Sequence, residues 1–254
     1  MIKVSHVTVT YPSSIAPIFN NFNWEVQKTE TWAVLGPSGC GKTTLLYLLA
    51  GLLLPNGGSV LIEDQPILRP RPKSGLILQD YGLLPWATVK QNCDLGGKIR
   101  KYYGADGIHA PVEVQPSHFK NDWIQRLGLG QLSEKYPSQL SGGQRQRTAI
   151  ARTLNLKPDL LLMDEPFSSL DVPSRENLQE LTISLVAEQG LTLILVTHSI
   201  EEAALLGKKI LLLSDPPNEN PIIINNSNAA SQNYRSSTTY TKLCQDLRER
   251  LGAT

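Results

Sequence analysis

The stretch Gly36-Pro37-Ser38-Gly39-Cys40-Gly41-Lys42-Thr43-Thr44 constrains this chain more than any other. It fits the phosphate-loop pattern of glycine, four free positions, glycine, lysine and then serine or threonine. The apolar run Trp32-Ala33-Val34-Leu35 before it reads as a buried strand, and Leu45 to Ala50 after it reads as a helix. The pattern needs that strand–loop–helix setting. Gly36, Gly39 and Gly41 let the backbone curl so that its N–H groups face phosphate oxygens. The start of the helix adds partial positive charge. Lys42 is placed to reach β and γ phosphates, and the Thr43 hydroxyl to ligate Mg²⁺. The plainer reading is a glycine-rich turn with a chance lysine.

Further along, Leu140-Ser141-Gly142-Gly143-Gln144 leads into Thr148-Ala149-Ile150-Ala151, and Ser141 alone would read as a helix N-cap. Leu160 to Met163 is a candidate buried strand from whose C-terminal end Asp164 and Glu165 emerge. Ligand chemistry in open α/β sheets gathers at that end. Asp164 is placed near Mg²⁺ through its water shell, and Glu165 as general base to an attacking water; two solvated acids are the plainer alternative. Gln79 ends the apolar run Leu76-Ile77-Leu78, and His198 follows Leu193 to Thr197. Asp171 reads as the N-cap of a helix from about Pro173. Tyr11, after the N-terminal strand, offers an aromatic face.

Taken in order, these motifs resemble the ATP-binding cassette (ABC) ATPase family, whose signature is LSGGQ, over nearly the whole chain. The resemblance implies ATP and Mg²⁺ as cofactors. Residues 36–44 would cradle the phosphates, Tyr11 would stack on adenine, and Thr43, Gln79 and Asp164 would attend the metal. It makes Gln79 the Q-loop glutamine, Glu165 the base, His198 the switch histidine at the γ-phosphate, and Ser168-Ser169-Leu170-Asp171 the D-loop. It also implies a second ATPase subunit, identical or not. In such a pair Ser141, Gly142, Gly143 and Gln144 act on the neighbour's nucleotide. Ser199 departs from the family, where aspartate commonly follows the switch histidine.

A narrower resemblance lies in Gln79-Asp80-Tyr81-Gly82-Leu83-Leu84-Pro85-Trp86-Ala87-Thr88-Val89-Lys90-Gln91-Asn92 and in Ser214-Asp215-Pro216-Pro217. Both are similar to the nitrate/sulfonate/taurine branch of bacterial importers, which also includes bicarbonate and pyrimidine-precursor importers. That branch implies a transmembrane permease as partner. An extracytoplasmic solute-binding protein would act indirectly, and the chain would sit peripherally at the cytoplasmic face of the membrane. The apolar burst Leu83 to Trp86 is then a docking surface, against the alternative of a buried turn. An export or extrusion subunit is the nearest rival. A soluble cassette acting on DNA or ribosomes would carry a long coiled coil or two cassettes, and neither is seen. Lys42, Asp164, Glu165 and His198 are all present, which disfavours a catalytically dead cassette.

Composition agrees. A net charge of +1 gives no bulk pull toward nucleic acid, and 41% hydrophobic residues among 254 suffice for a sizeable core. Cys40, Cys93 and Cys244 show no metal spacing and fit a reducing compartment. No apolar run approaches the roughly 20 residues that span a bilayer, and no signal peptide is evident. The expected fold is α/β: a mainly parallel core sheet, an N-terminal antiparallel β subdomain and a helical signature subdomain. One cassette fills residues 1–254, with residues 1–92 and 156–213 as catalytic core, 93–155 as helical subdomain and 214–254 as C-terminal extension. Residues 93–118 read as irregular, with His109 and His118 as plain surface. A helix near 119–127 would bury Trp123 and Leu127, residues 214–238 read as linker, and 239–251 as a terminal helix.

Overall fold

The computed structural model describes residues 1–12, 16–103, 122–231 and 233–252. The chain forms two compact units, Met1–Pro70 with Val186–Thr254, and Arg71–Leu185. In the first unit, strands β1 (Ile2–Val9), β2 (Phe19–Val26), β4 (Gly57–Ile62) and β5 (Gln65–Pro66) make an antiparallel sheet in the order β2-β1-β4-β5. In β1 buried Ile2 and Val4, then Val7 and Val9, alternate with more exposed neighbours at a period of two, which a register shift between Val4 and Val7 interrupts. The same unit holds β3 (Thr31–Leu35), which is paired in parallel with both β8 (Thr192–Thr197) and β9 (Lys209–Leu212). Every residue of β8 is buried, as parallel strands covered on both faces require. The helices here are α1 (Lys42–Ala50), α6 (Ile200–Leu206) and α7 (Thr238–Arg250).

The second unit contains the parallel pair β6 (Ser74–Ile77) and β7 (Leu160–Asp164), with helices α2 (Val89–Tyr103), α3 (Asp122–Arg126), α4 (Gly142–Leu154) and most of α5 (Val172–Gln189). The α/β architecture expected from the sequence is thus present: parallel strands, an antiparallel N-terminal sheet and a helical region carrying the signature.

Two expectations need correction. Residues 93–103 are not irregular but belong to α2; residues 104–118, including His109 and His118, lie outside the described residues. The start of α2 is a reciprocal cap. Gln91 N–H donates to Thr88 Oγ1 at 3.3 Å, and Thr88 N–H donates to Gln91 Oε1 at 2.9 Å. Gly96 serves packing within α2: a Cβ on it would lie 2.1 Å from the Arg152 carbonyl oxygen of α4. In α3 and its exit, Leu127 is buried as expected, whereas Ile124 rather than the half-buried Trp123 is the helix's core residue.

The second correction concerns 214–238. Ile222–Asn225 forms β10, antiparallel to β9, and a short 3-10 turn covers Tyr234–Ser236. Asn226 ties this segment down by donating to the carbonyls of Ala204 (2.7 Å) and Gly207 (2.8 Å), while Tyr234 Oη donates to Asn226 Oδ1 at 2.6 Å. The terminal helix α7 then places Cys244 and Leu247 into one cluster with Ala33, Leu35, Ala203, Ile210 and Leu212. Leu247 is fully buried there. Leu247→Ala is therefore expected to lower unfolding stability by about 2–5 kcal/mol, through lost transfer energy plus a cavity. Urea denaturation reads this directly; a loss under about 0.5 kcal/mol, as for a surface site, would mean that α7 is not part of this core.

Candidate functional site

The C-terminal ends of the parallel strands present the predicted residues. In the first unit Leu35 of β3 is in register with Thr197 of β8, so the loop from Gly36 and His198 leave neighbouring strands at the same end. Gly39 and Gly41 have φ of 80° and 104°, in the region that favours glycine. A Cβ on Gly41 would lie 2.5 Å from Ile18 Cγ2, so both conformation and space demand glycine there. Pro37, Ser38, Gly39 and Thr43 are exposed, whereas Cys40, Lys42 and Thr44 are buried. Lys42 Nζ folds back and donates to the carbonyls of Gly36 and Pro37, each at 2.8 Å. Burial pushes the Cys40 thiol above its ordinary pKa, which makes it a small inert packing residue of the loop. Tyr11 is half-buried, with its hydroxyl 3.2 Å from Thr44 Oγ1.

His198 is held from both sides. Thr197 Oγ1 donates to the buried carboxylate of Glu202 at 2.6 Å and accepts from Ser199 N–H at 3.0 Å. Ser199 Oγ in turn caps α6 by accepting from Glu202 N–H at 3.2 Å. The departure at Ser199 thus keeps the capping role, with a neutral hydroxyl in place of a carboxylate.

In the second unit Ile77 is in register with Met163, which brings Gln79 and the two acids to one end. Gln79 Nε2 lies 3.3 Å from Glu165 Oε2 and donates to it. Asp164 closes β7 and is buried, while Glu165 is half-exposed with φ of 44°, an uncommon conformation for a residue with a side chain. Such unfavourable backbone angles cluster at working sites. Ser141 caps α4 in a full capping box: Gln144 N–H donates to Ser141 Oγ at 3.3 Å, and Ser141 N–H to Gln144 Oε1 at 3.0 Å. Asp171 caps α5 by accepting from Ser174 N–H at 3.2 Å, and hydrogen bonds from the Ser174 side chain first and its N–H second hold the Asp171 carboxyl below the usual range.

Several residues that organise the site carry no local sequence signal. Tyr81 has φ of 68°, and its hydroxyl lies 2.5 Å from Ser169 Oγ in the D-loop. Arg152 of α4 donates to the carbonyls of Tyr81 (2.9 Å) and Gly82 (2.5 Å). Asn92, fully buried, accepts from Leu84 N–H at 2.9 Å and donates to the carbonyls of Leu84, Ala87 and Thr88. This frame presents Trp86 at 73% exposure, so the Leu-Pro-Trp segment is not a buried turn. Tyr81 and Asn92 lie in the stretch Gln79 to Asn92 that carries the importer-branch resemblance, but nothing local in the sequence gives them these hydrogen-bonding roles.

Comparison with known proteins gives the family. The chain is 44% identical to the bicarbonate transport ATP-binding protein CmpC of Synechocystis sp. over 199 residues, covering 78% of this chain but only 29% of that protein. It is 38% identical to the taurine import ATP-binding protein TauB of Escherichia coli O157:H7 over 217 residues, covering 85% of this chain and 81% of that one. Among solved structures, the dimeric post-hydrolysis state of the ATP-binding cassette MJ0796, bound to ADP and Pi, matches with a TM-score of 0.74 at 29% identity. That match covers 87% of this chain and 98% of the other. The family model described as ABC transporter matches residues 19–168, more than half of the sequence, and the chain belongs to the ABC transporter family.

Proposed function

We propose that this chain is the ATP-binding and ATP-hydrolysing subunit of a membrane importer and that it works as one of a pair of cassettes. The observation that carries the proposal is the folded phosphate loop. Two glycines stand at positive φ, and a buried lysine turns its ammonium onto the loop's own carbonyls. This is an anion cradle with a built-in cation. Residues Gly36 to Thr44 would hold the phosphates, and Tyr11 would cover the adenine.

The donors Thr43, Gln79 and Asp164 are oxygen ligands of the kind Mg²⁺ accepts. Among the described residues no cluster of three His, Cys, Asp or Glu could hold a metal alone, so the ion would also need the nucleotide's phosphates. When bound, Mg²⁺ would offset the charge that develops on those phosphates. Glu165 would take the proton of the attacking water, with Gln79 hydrogen-bonded beside it, and His198 would face the γ-phosphate.

Gly143 supports the pairing of two copies. A Cβ there would make only ordinary contacts, the nearest 3.7 Å away at Ser174, so packing within the chain does not require glycine. Glycine carries an entropic cost on folding relative to alanine. Close approach of a partner's nucleotide to the start of α4 accounts for that cost. Ser141, Gly142, Gly143 and Gln144 would thus serve the neighbour's site, in a homodimer or a heterodimer.

Import rather than export is supported by the likeness to the taurine import ATP-binding protein. The cargo would be a small solute of that kind, selected by a permease and, indirectly, by an extracytoplasmic binding protein. Among the described residues no helix is long and apolar enough to cross a membrane. By its likeness to importer subunits, the chain would act peripherally, at the cytoplasmic face, through the surface around Trp86.

Glu165→Gln keeps the shape of the base and removes its function. Steady-state ATP turnover is expected to fall by about 10²–10⁴-fold with ATP binding retained; near-normal turnover would remove Glu165 from the reaction. Ser141→Arg and Lys42→Ala should each abolish hydrolysis, the first sparing ATP binding to the single chain and the second weakening it. Mixing the two variants should restore part of the activity. No recovery at any ratio, with subunit exchange verified, would contradict a site shared between copies. Trp86→Ala should reduce copurification of membrane subunits from native membranes while the isolated chain keeps its ATPase rate. The opposite pattern would make Trp86 a stability residue.

A further inference from the structure

We infer that Asn218, in the segment that reads as linker, is a positioning residue of the nucleotide site: its side-chain amide fixes the Cys40–Gly41 peptide so that the Gly41 N–H faces the phosphates. The inference rests on reading Gly36–Thr44 as the phosphate cradle.

Asn218 is 5% exposed, and its amide is fully engaged. Nδ2 donates to the Cys40 carbonyl at 2.9 Å and to the Ser214 carbonyl at 3.2 Å. Oδ1 accepts from Ser214 N–H at 2.9 Å, which sets the amide's orientation and leaves Nδ2 toward the loop. The backbone of Asn218 is anchored as well. Its N–H donates to the Ile18 carbonyl at 2.9 Å, and its carbonyl accepts from Asn20 N–H at 3.0 Å. Asn20 Nδ2 adds a bond to Glu219 Oε1 at 2.6 Å. The clamp is therefore braced against the entry of β2, the same segment whose Ile18 and Phe19 press on Gly41.

The consequence follows from peptide geometry. In a trans peptide the carbonyl of one residue and the N–H of the next point in opposite directions. Holding Cys40 O outward, against Asn218, turns the Gly41 N–H to the other side of the loop. Glycine makes such a clamp necessary. With no Cβ, Gly41 populates positive and negative φ about equally, so its preceding peptide can rotate and aim a carbonyl instead of an N–H into the cradle. A carbonyl there would repel phosphate. Asn218 removes that alternative before nucleotide arrives, which lowers the conformational cost of binding.

The test is ATP affinity measured by calorimetry for the full chain carrying Asn218→Ala, beside Asn226→Ala as a control. Asn226 is another buried asparagine that clamps two carbonyls, away from the loop. Both variants should unfold at a lower temperature. Only Asn218→Ala should weaken ATP binding, by roughly tenfold, in line with one lost hydrogen bond and a freed peptide. Asn218→Asp, which puts an oxygen where the donor stood, should weaken it further. Lost stability with unchanged affinity, or equal loss of affinity in the Asn226→Ala control, would overturn the clamp. If Lys42→Ala also leaves affinity unchanged, the cradle reading itself fails; if Lys42→Ala weakens binding and the Asn218 variants do not, only the clamp fails. Should neither Asn218 variant fold, the wild-type chain decides: the Asn218 side-chain amide protons should exchange slowly and shift in NMR spectra on adding ATP, and fast exchange or an unmoved signal would overturn the proposal.

Discussion

Between Gly36 and Lys42 the backbone must turn from a buried parallel strand into a helix, and under the proposed function it must also turn N–H groups toward an anion. Glycine solves the conformational half of this problem, at Gly39 and Gly41. It leaves the other half open, because a loop so permissive is also free to misalign. The surrounding structure supplies what glycine lacks. Lys42 bonds the carbonyls of Gly36 and Pro37, Asn218 bonds that of Cys40, and the side chains of Ile18 and Phe19 close over Gly41. The cradle is a flexible sequence made definite by its neighbours.

The same logic explains why some of the fold was legible in the sequence and some was not. Gly36 to Thr44, Asp164, Glu165 and His198 announce themselves because strand, loop and chemistry are adjacent along the chain. The N-caps Ser141 and Asp171 were legible for the same reason, and the structure shows the capping bonds. For Ser141 the modest reading and the functional one are compatible: a capping box fixes the serine while leaving the helix start available to an anion. Asn92, Tyr81, Arg152 and Asn218 were not legible as organisers. Arg152 meets the carbonyl of Tyr81 from far along the sequence, and Asn218 meets that of Cys40 across an even longer separation. Amide and guanidinium clamps of this kind leave no periodic trace. The start of α2 was not legible either: Gly96, a residue type that usually weakens a helix, here permits the close approach of α4.

Each unit offers a rigid presentation rather than a finished catalytic pocket. Thr197, Ser199 and Glu202 pin the backbone on both sides of His198. Gln79 reaches Glu165, and Tyr81, two residues beyond Gln79, is tied to Ser169 and to α4 through Arg152. The loop carrying Trp86 starts within this network and is stiffened by Asn92. A force applied at Trp86 would thus meet a hydrogen-bonded path toward the signature helix and the D-loop rather than a slack loop. Under the proposed function, that arrangement would let a membrane partner feel hydrolysis.

The central claim is that one copy provides the phosphate cradle and the other the signature, so ATP should join two chains. Light scattering of the Glu165→Gln chain measures this most directly. The account predicts a mass of two chains with ATP and Mg²⁺ and of one chain with ADP. A mass of one chain at saturating ATP, with nucleotide demonstrably bound, would contradict it.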